Sequence, residues 1–221
     1  MKRKICFLLA LVMMTLSLSS LTVQAQTAEV CEVFADVKHE AWHEPSVQYV
    51  YDNGIMSGSN GTFKPQDNVT RGQLVTTLYR LAGEPEVTDE SALEDFSDVV
   101  EGKYYTDAVC WAYANGIATG NNGKFDPTGK LTRQQMIVFL HRFAETMDID
   151  VDNVPCGLSV IGTDLSRYAT DAVLWALGND LIVGNEVTVG GIVAYDVNPL
   201  SNATRAQVAT ILMRFCERYG V

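Results

Sequence analysis

The stretch Gly123-Lys124-Phe125-Asp126-Pro127, followed by Leu131-Thr132-Arg133-Gln134-Gln135, decides how this chain is read, because it occurs earlier as Gly61-x-Phe63-x-Pro65 and Val69-Thr70-Arg71-Gly72-Gln73. The two copies are offset by 62 residues without a gap. The same offset relates Phe34-x-Asp36 to Phe96-x-Asp98 and Asn53-Gly54-Ile55 to Asn115-Gly116-Ile117. A third copy drifts: Trp175 and Leu181 lie 64 residues after Trp111 and Ile117, whereas Pro199, Thr204 and Arg205 lie 72 after their partners. An eight-residue insertion near Glu186–Val193 accounts for the change. A period of this size marks one supersecondary unit whose copies bury what each alone leaves exposed. A tripled element also weighs against a single catalytic centre.

Each copy reads as helix, turn-rich loop, helix. Thr106-Asp107 is expected to cap a helix carrying Ala108, Val109, Trp111, Ala112 and Tyr113, and Pro45 marks the equivalent start in copy one. Asn115-Gly116-Ile117 stops it, with Gly in the left-handed position and Ile folding back; Asp180 takes the glycine's place in copy three. Gly58-Ser59-Asn60-Gly61 and Gly120-Asn121-Asn122-Gly123 are loops. Thr70, Thr132 and Thr204, each with Gln three residues later, are capping boxes opening a second helix. Leu74, Leu78 and Leu81, Met136, Leu140 and Phe143, and Val208, Leu212 and Phe215 are its buried stripes. The fold class expected is all-α.

Residues 1–25 read as a signal peptide: Lys2-Arg3-Lys4, an apolar run to Leu21, and small residues at Val23-Gln24-Ala25. The run is short for a membrane span, so an exported protein without a membrane anchor after cleavage is expected. The chain carries a net charge of −11; without the three leading basic residues it becomes −14, from 13 basic and 27 acidic. No Lys/Arg patch suggests nucleic acid, and any anionic ligand must be met by a local cationic site against the overall field. Cys31, Cys110, Cys156 and Cys216 permit three pairings. Cys216 takes the place of Ala82 and Ala144, and Cys110 that of Gln48 and Leu174, so free or partly paired thiols are expected.

Capping explains the Thr and the Gln but not Arg71, Arg133 and Arg205 between them. A cation at the first helical position faces the positive end of the helix dipole, unfavourable by roughly 0.3–1 kcal/mol. One account pairs the Arg with a carboxylate such as Asp67 or Asp126, or leaves it in solvent. The other joins the guanidinium to free helix N–H groups as an anion site.

Taken together, Phe-x-Asp, Asn-Gly-Ile, Gly-x-Phe-x-Pro and Thr-Arg-x-Gln in three copies resemble the S-layer homology (SLH) module, from Phe34 to the C-terminus. The resemblance implies modules at 30–85, 92–150 and 155–221, closed into a pseudo-threefold helical bundle. It also implies a non-catalytic cell-surface protein, needing no cofactor or metal, that binds secondary cell-wall polysaccharide through grooves between modules. A pyruvyl or other acidic group of the polymer would meet Arg71, Arg133 and Arg205. Asp36 and Asp98 would position the loops or accept sugar hydroxyls, with Ser57 and Thr119 as further contacts. Other surface proteins are further candidate partners. The modules leave no room for a cargo domain in the mature sequence.

The copies depart from the family's usual Thr-Arg-Ala-Glu by ending in Gln, which keeps the capping box. Copy three lacks Phe-x-Asp, with Val160 and Gly162 in those places, so its groove, and Arg205 with it, is expected to be altered or non-binding. Two other readings remain. His39-Glu40-Ala41-Trp42-His43 matches the zinc-protease pattern, which would make a secreted metallohydrolase using His39 and His43, but it precedes the expected helix and lacks a third ligand. An assembly module joining SLH proteins without sugar is the other. The loops lack the ligand spacing of a calcium-binding EF-hand. Tyr49, Trp111 and Trp175 are expected in the core on helical spacing.

Overall fold

A computed structural model describes residues 28–155, 157–160 and 164–221. The signal peptide and Cys156 therefore lie outside the described residues. In chain order the helices are α1 (Val30–Val33), α2 (Glu44–Asp52), α3 (Arg71–Leu81), α4 (Ala92–Asp95), α5 (Thr106–Ala114), α6 (Arg133–Thr146), α7 (Thr170–Gly178) and α8 (Arg205–Tyr219). One 3-10 turn (Arg167–Ala169) leads into α7.

Local signals produce local structure where they were read. All three capping boxes form: the hydroxyls of Thr70, Thr132 and Thr204 accept from the amides of Gln73, Gln135 and Gln207, and each Gln side chain accepts from its Thr amide. The stops of α2, α5 and α7 repeat as well. Gly54, Gly116 and Asp180 sit at φ 68°, 69° and 57°, the left-handed region in which Asp carries a small penalty. Ile55, Ile117 and Leu181 then donate back to Val50, Ala112 and Ala176. Thr106 does not cap α5; its hydroxyl instead donates to the Val100 carbonyl and accepts from the Lys103 amide.

The expectation of an all-α protein is overturned. β1 (Asn185–Val189) and β2 (Ile192–Asp196) pair antiparallel, in register from Asn185 with Asp196 to Val189 with Ile192. Gly190 and Gly191, at φ 59° and 82°, make the two-residue turn. Positive φ at both central residues matches the right-handed twist of the strands, which is why glycine is needed there. Hence the insertion near Glu186–Val193 is a hairpin, and the architecture is mixed α/β.

Nor is the helix–loop–helix copy a packing unit. α2 packs on α8, α3 on α5 and α6 on α7, so each main helix pair draws on two copies. The physical reason is that the turn-rich loop separates the two helices of a copy, and each apolar stripe finds its cover elsewhere. Leu74, Leu78, Met136, Leu140, Phe143, Val208, Leu212 and Phe215 are all buried in one continuous core with Trp111 and Trp175. Leu81 and Tyr49 lie partly buried against it. Cys31, Cys110 and Cys216 are free thiols.

Candidate functional site

The starts of α3, α6 and α8 are tied to one another through the loops that precede them. Val69 donates to Ala203, Leu131 to Val69, and Ala203 to Leu131. The first helical amides follow the same rule: Arg71 and Gly72 donate to Gly129 and Pro127, Arg133 and Gln134 to Ser201 and Pro199, and Arg205 and Ala206 to Asp67 and Pro65. With the third amide held by the capping Thr, these N–H groups are spent on protein carbonyls. The anion site imagined from free helix N–H donors is therefore corrected: it must be built from side chains.

The guanidiniums point into the loop of the following copy. Arg71 Nε donates to the Phe125 carbonyl at 2.7 Å, Arg133 Nε to Val197 at 2.8 Å and Arg205 Nε to Phe63 at 2.7 Å. Arg71 lies between two rings, 4.9 Å from the centroid of Phe125 and 5.0 Å from that of Phe139. Arg205 stands 4.6 Å from Phe63 and donates also to the Ser57 carbonyl at 2.7 Å. Where Phe63 and Phe125 sit, copy three has Val197, which offers Arg133 no π face.

Among the described residues the cation–carboxylate contacts within 4 Å are Arg80–Glu84 and, charged only when the imidazole is protonated, His39–Glu44 and His141–Glu145. The motif arginines are thus not paired to Asp67 or Asp126. Burial lowers the pKa of all three; Asp126 partly offsets this for Arg71 and Asp67 for Arg205, while Arg133 has no such offset.

Asp36 and Asp98 hold the loops. Asp36 accepts from the amides of Phe63 and Lys64 at 2.8 and 2.7 Å, and Asp98 from those of Phe125 and Asp126 at 2.9 and 2.8 Å. Each fixes the residue whose carbonyl receives the arginine. Copy three substitutes a local contact, Asn198 amide to Asp196 at 2.9 Å, and the Tyr195 amide donates to Ser159. Behind the loop, Gly120 has φ +64°, and a Cβ there would come within 2.4 Å of the Phe96 ring. The Phe of Phe-x-Asp therefore packs where only glycine leaves room.

Three grooves result, and each draws on three copies. The largest, about 930 Å³, brings Arg71 together with Thr119 and Asp98, with Gln135, Phe139 and Arg142 of α6, and with Tyr168. The second, about 560 Å³, joins Arg133 to Val183, to Gln207 and Arg214 of α8, and to Trp42. The third, about 100 Å³, joins Arg205 to Ser57, to Gln73 and Arg80 of α3, and to Tyr104. The structure thus puts Arg71 with Thr119 and Asp98, and Arg205 with Ser57. The drifted loop of copy three falls beside Arg133, with exposed Val183 where the other loops carry Ser57 and Thr119. Arg205 instead has the loop of copy one, so the altered surroundings belong to Arg133.

Sequence reasoning missed two sets of residues. Arg80, Arg142 and Arg214 give every groove a second guanidinium, and they share the repeat offsets of 62 and 72. Trp42, Tyr104 and Tyr168 are exposed by 62, 65 and 57 %, and each closes a groove from the third participating copy. An aromatic just before the first helix in every copy was the available signal. His39 and His43 do not share a metal site. Residues 39–43 are non-helical, His39 faces Glu44, and His43 is buried at the start of α2, where burial lowers its pKa.

A groove built around a motif arginine at a capped helix start, repeated from copy to copy, defines the class of protein: a tandem repeat module with its sites between copies. The S-layer homology domain model matches residues 33–75 and 95–137, so the chain carries SLH domains in tandem. Copy three lies outside those matches but forms the same capping box. The chain is 26% identical over 194 residues to an amylopullulanase of Thermoanaerobacterium thermosulfurigenes, covering 87% of this chain and 10% of that protein. It is 30% identical over 183 residues to an endoglucanase of Bacillus sp. (strain KSM-635), covering 81% and 18%. It is 28% identical over 201 residues to the S-layer protein sap of Bacillus anthracis, covering 90% and 23%. The chain thus spans less than a quarter of the length of these relatives. SLH domains anchor proteins to the cell wall, which places this chain at the cell surface. Among the described residues no helix is long and apolar enough to cross a membrane.

Proposed function

We propose that the chain is a non-catalytic anchor that binds an acidic secondary cell-wall polysaccharide, with the Arg71 groove as its principal site. The observation that carries this reading is the pairing of Arg71 and Arg142 in one groove with exposed Tyr168, neither guanidinium being within 4 Å of a carboxylate. Arg71 is held by its Nε and its two rings, so its terminal N–H groups are presented to a ligand without further ordering. A pyruvyl carboxylate suits that fork, Tyr168 offers a face for a sugar ring, and Thr119, Asn121 and Gln135 supply polar groups for hydroxyls. Lys124 adds a third cation against Asp98 and Asp126, which gives the groove a local positive excess on an acidic chain.

The Arg133 groove is more apolar and lacks the loop hydroxyl, and the Arg205 groove is small, so both are expected to contribute less. Sedimentation of the purified protein with wall fragments, with and without pyruvyl groups, tests the reading. Arg142→Ala and Tyr168→Ala are the informative variants, because neither removes the bond that holds the Phe125 carbonyl. Each should weaken binding by roughly tenfold or more, about 1.4 kcal/mol. Equal binding to walls stripped of polymer, or unchanged binding in both variants, would overturn it. Self-association unaffected by removal of the polymer would favour an assembly module instead.

A further inference from the structure

Four ligand-type side chains from three segments converge at the N-terminal edge of copy one, away from the grooves. Glu29 and Cys31 flank the start of α1, His39 lies in the loop after it, and Glu44 opens α2. Their ligand atoms all lie within 4.8 Å of one another. Two contacts are closer: His39 Nδ1 is 3.2 Å from Glu44 Oε1, and Cys31 Sγ is 3.6 Å from Glu29 Oε2. In a tetrahedral zinc site with bonds of about 2.0–2.3 Å, neighbouring ligand atoms stand roughly 3.3–3.8 Å apart. These two pairs already have about that spacing, and the others, none beyond 4.8 Å, need to close by at most about 1.5 Å.

We propose that Glu29, Cys31, His39 and Glu44 form a structural site for a zinc-class divalent cation that fastens the N-terminal segment to the first repeat. One thiolate, one imidazole and two carboxylates are a borderline-soft set that suits zinc over calcium or magnesium. Four protein ligands fill a tetrahedron, so the site is closed and carries no water for hydrolysis. It is therefore distinct from the His-Glu-x-x-His pattern, of which it uses only His39.

The repeat itself does not call for this cluster. At the matching positions copy two has Ser91, Leu93, Glu101 and Thr106, of which Glu101 alone is a ligand type. The same fold is thus built without it. Without a cation the groups satisfy one another: the thiol meets Glu29, the imidazole meets Glu44, and the Glu40 amide holds the other Glu44 oxygen at 2.6 Å. Burial and the flanking carboxylates raise the Cys31 thiol, so a metal must displace its proton, and affinity rises with pH. The geometric consequence is a staple. Glu29 and Cys31 precede and occupy α1, whose first amide already binds Gln48 of α2 at 2.8 Å, and the cation would add a second tie to the same helix.

The test uses the full chain, reduced and stripped with a chelator. Zinc titration by calorimetry should give one equivalent per chain and a higher Tm. Cobalt should give an intense thiolate-to-metal absorption band together with the visible bands of a tetrahedral ion. Cys31→Ser should abolish the thiolate band, and His39→Ala should weaken zinc by roughly tenfold or more. His39 is exposed and Cys31 half-buried, and circular dichroism checks that the variants fold. Absence of stoichiometric binding, a thiolate band that survives Cys31→Ser, or zinc affinity unchanged in His39→Ala would overturn the proposal. The readout is independent of wall binding.

Discussion

Replacing Asp98 by Ala removes the acceptor of two backbone amides, those of Phe125 and Asp126, at 2.9 and 2.8 Å. Hydrogen bonds to a charged group contribute about 1.5–3 kcal/mol each when shielded. The Asp126 amide is exposed and regains water, whereas the Phe125 amide is part-buried and is left without a partner. The expected loss is therefore about 2–3 kcal/mol, set mainly by the Phe125 end. For a chain of this length that corresponds to roughly 4–12 °C in Tm. Asp98→Asn keeps one acceptor and should lose about half as much. Because Phe125 carries both the carbonyl and the ring that hold Arg71, wall binding should fall in parallel with stability. Asp196→Ala in copy three, which frees only the exposed Asn198 amide, should cost less than about 1 kcal/mol. Urea unfolding followed by circular dichroism measures all three. An Asp98→Ala protein within about 0.5 kcal/mol of wild type would refute the clamp, and a stable one that no longer binds walls would make Asp98 a ligand instead.

Gln73→Ala, Gln135→Ala and Gln207→Ala should each lower stability by about 0.5–1 kcal/mol in the same assay, since each deletes one side of a capping box. Arg71→Lys should lower Tm as well as wall affinity, because an ammonium cannot bond the Phe125 carbonyl through Nε while lying flat between two rings. Burial lowers the pKa of His43 and His141, with Asp36 and Glu44 opposing it at the first and mainly Glu145 at the second. The unfolded chain then takes up these protons first, so stability should be full above about pH 6.5 and fall as pH drops below it. His141→Gln should flatten that slope in urea titrations run between pH 7 and 5. Gly120→Ala should strongly destabilise the chain, since its Cβ would come within 2.4 Å of the Phe96 ring at a backbone φ of +64°; calorimetry checks it.

What could be read along the chain was whatever depends on residues within a turn of one another. The capping boxes at Thr70, Thr132 and Thr204 and the stops at Asn53-Gly54, Asn115-Gly116 and Asn179-Asp180 were legible, because three or four residues determine each. The buried stripes of α3, α6 and α8 were legible for the same reason, as was the peculiarity of an arginine at the first helical position. The hairpin has a local signal too, β-branched residues flanking Gly190-Gly191, which the helical repeat around it masks. The partnerships belong to tertiary structure. Arg71 meets the loop of copy two, Arg205 that of copy one, and Arg133 the drifted loop of copy three, although each arginine lies in a sequence motif nearly identical to the others. Tyr168, Trp42 and Tyr104 reach their grooves from a third copy, and the helix amides that seemed free are taken by carbonyls some 60 to 140 residues away. Periodicity says which residues are equivalent. Which equivalent residues touch depends on how the apolar stripes find cover, and each stripe here is covered by a helix from another copy.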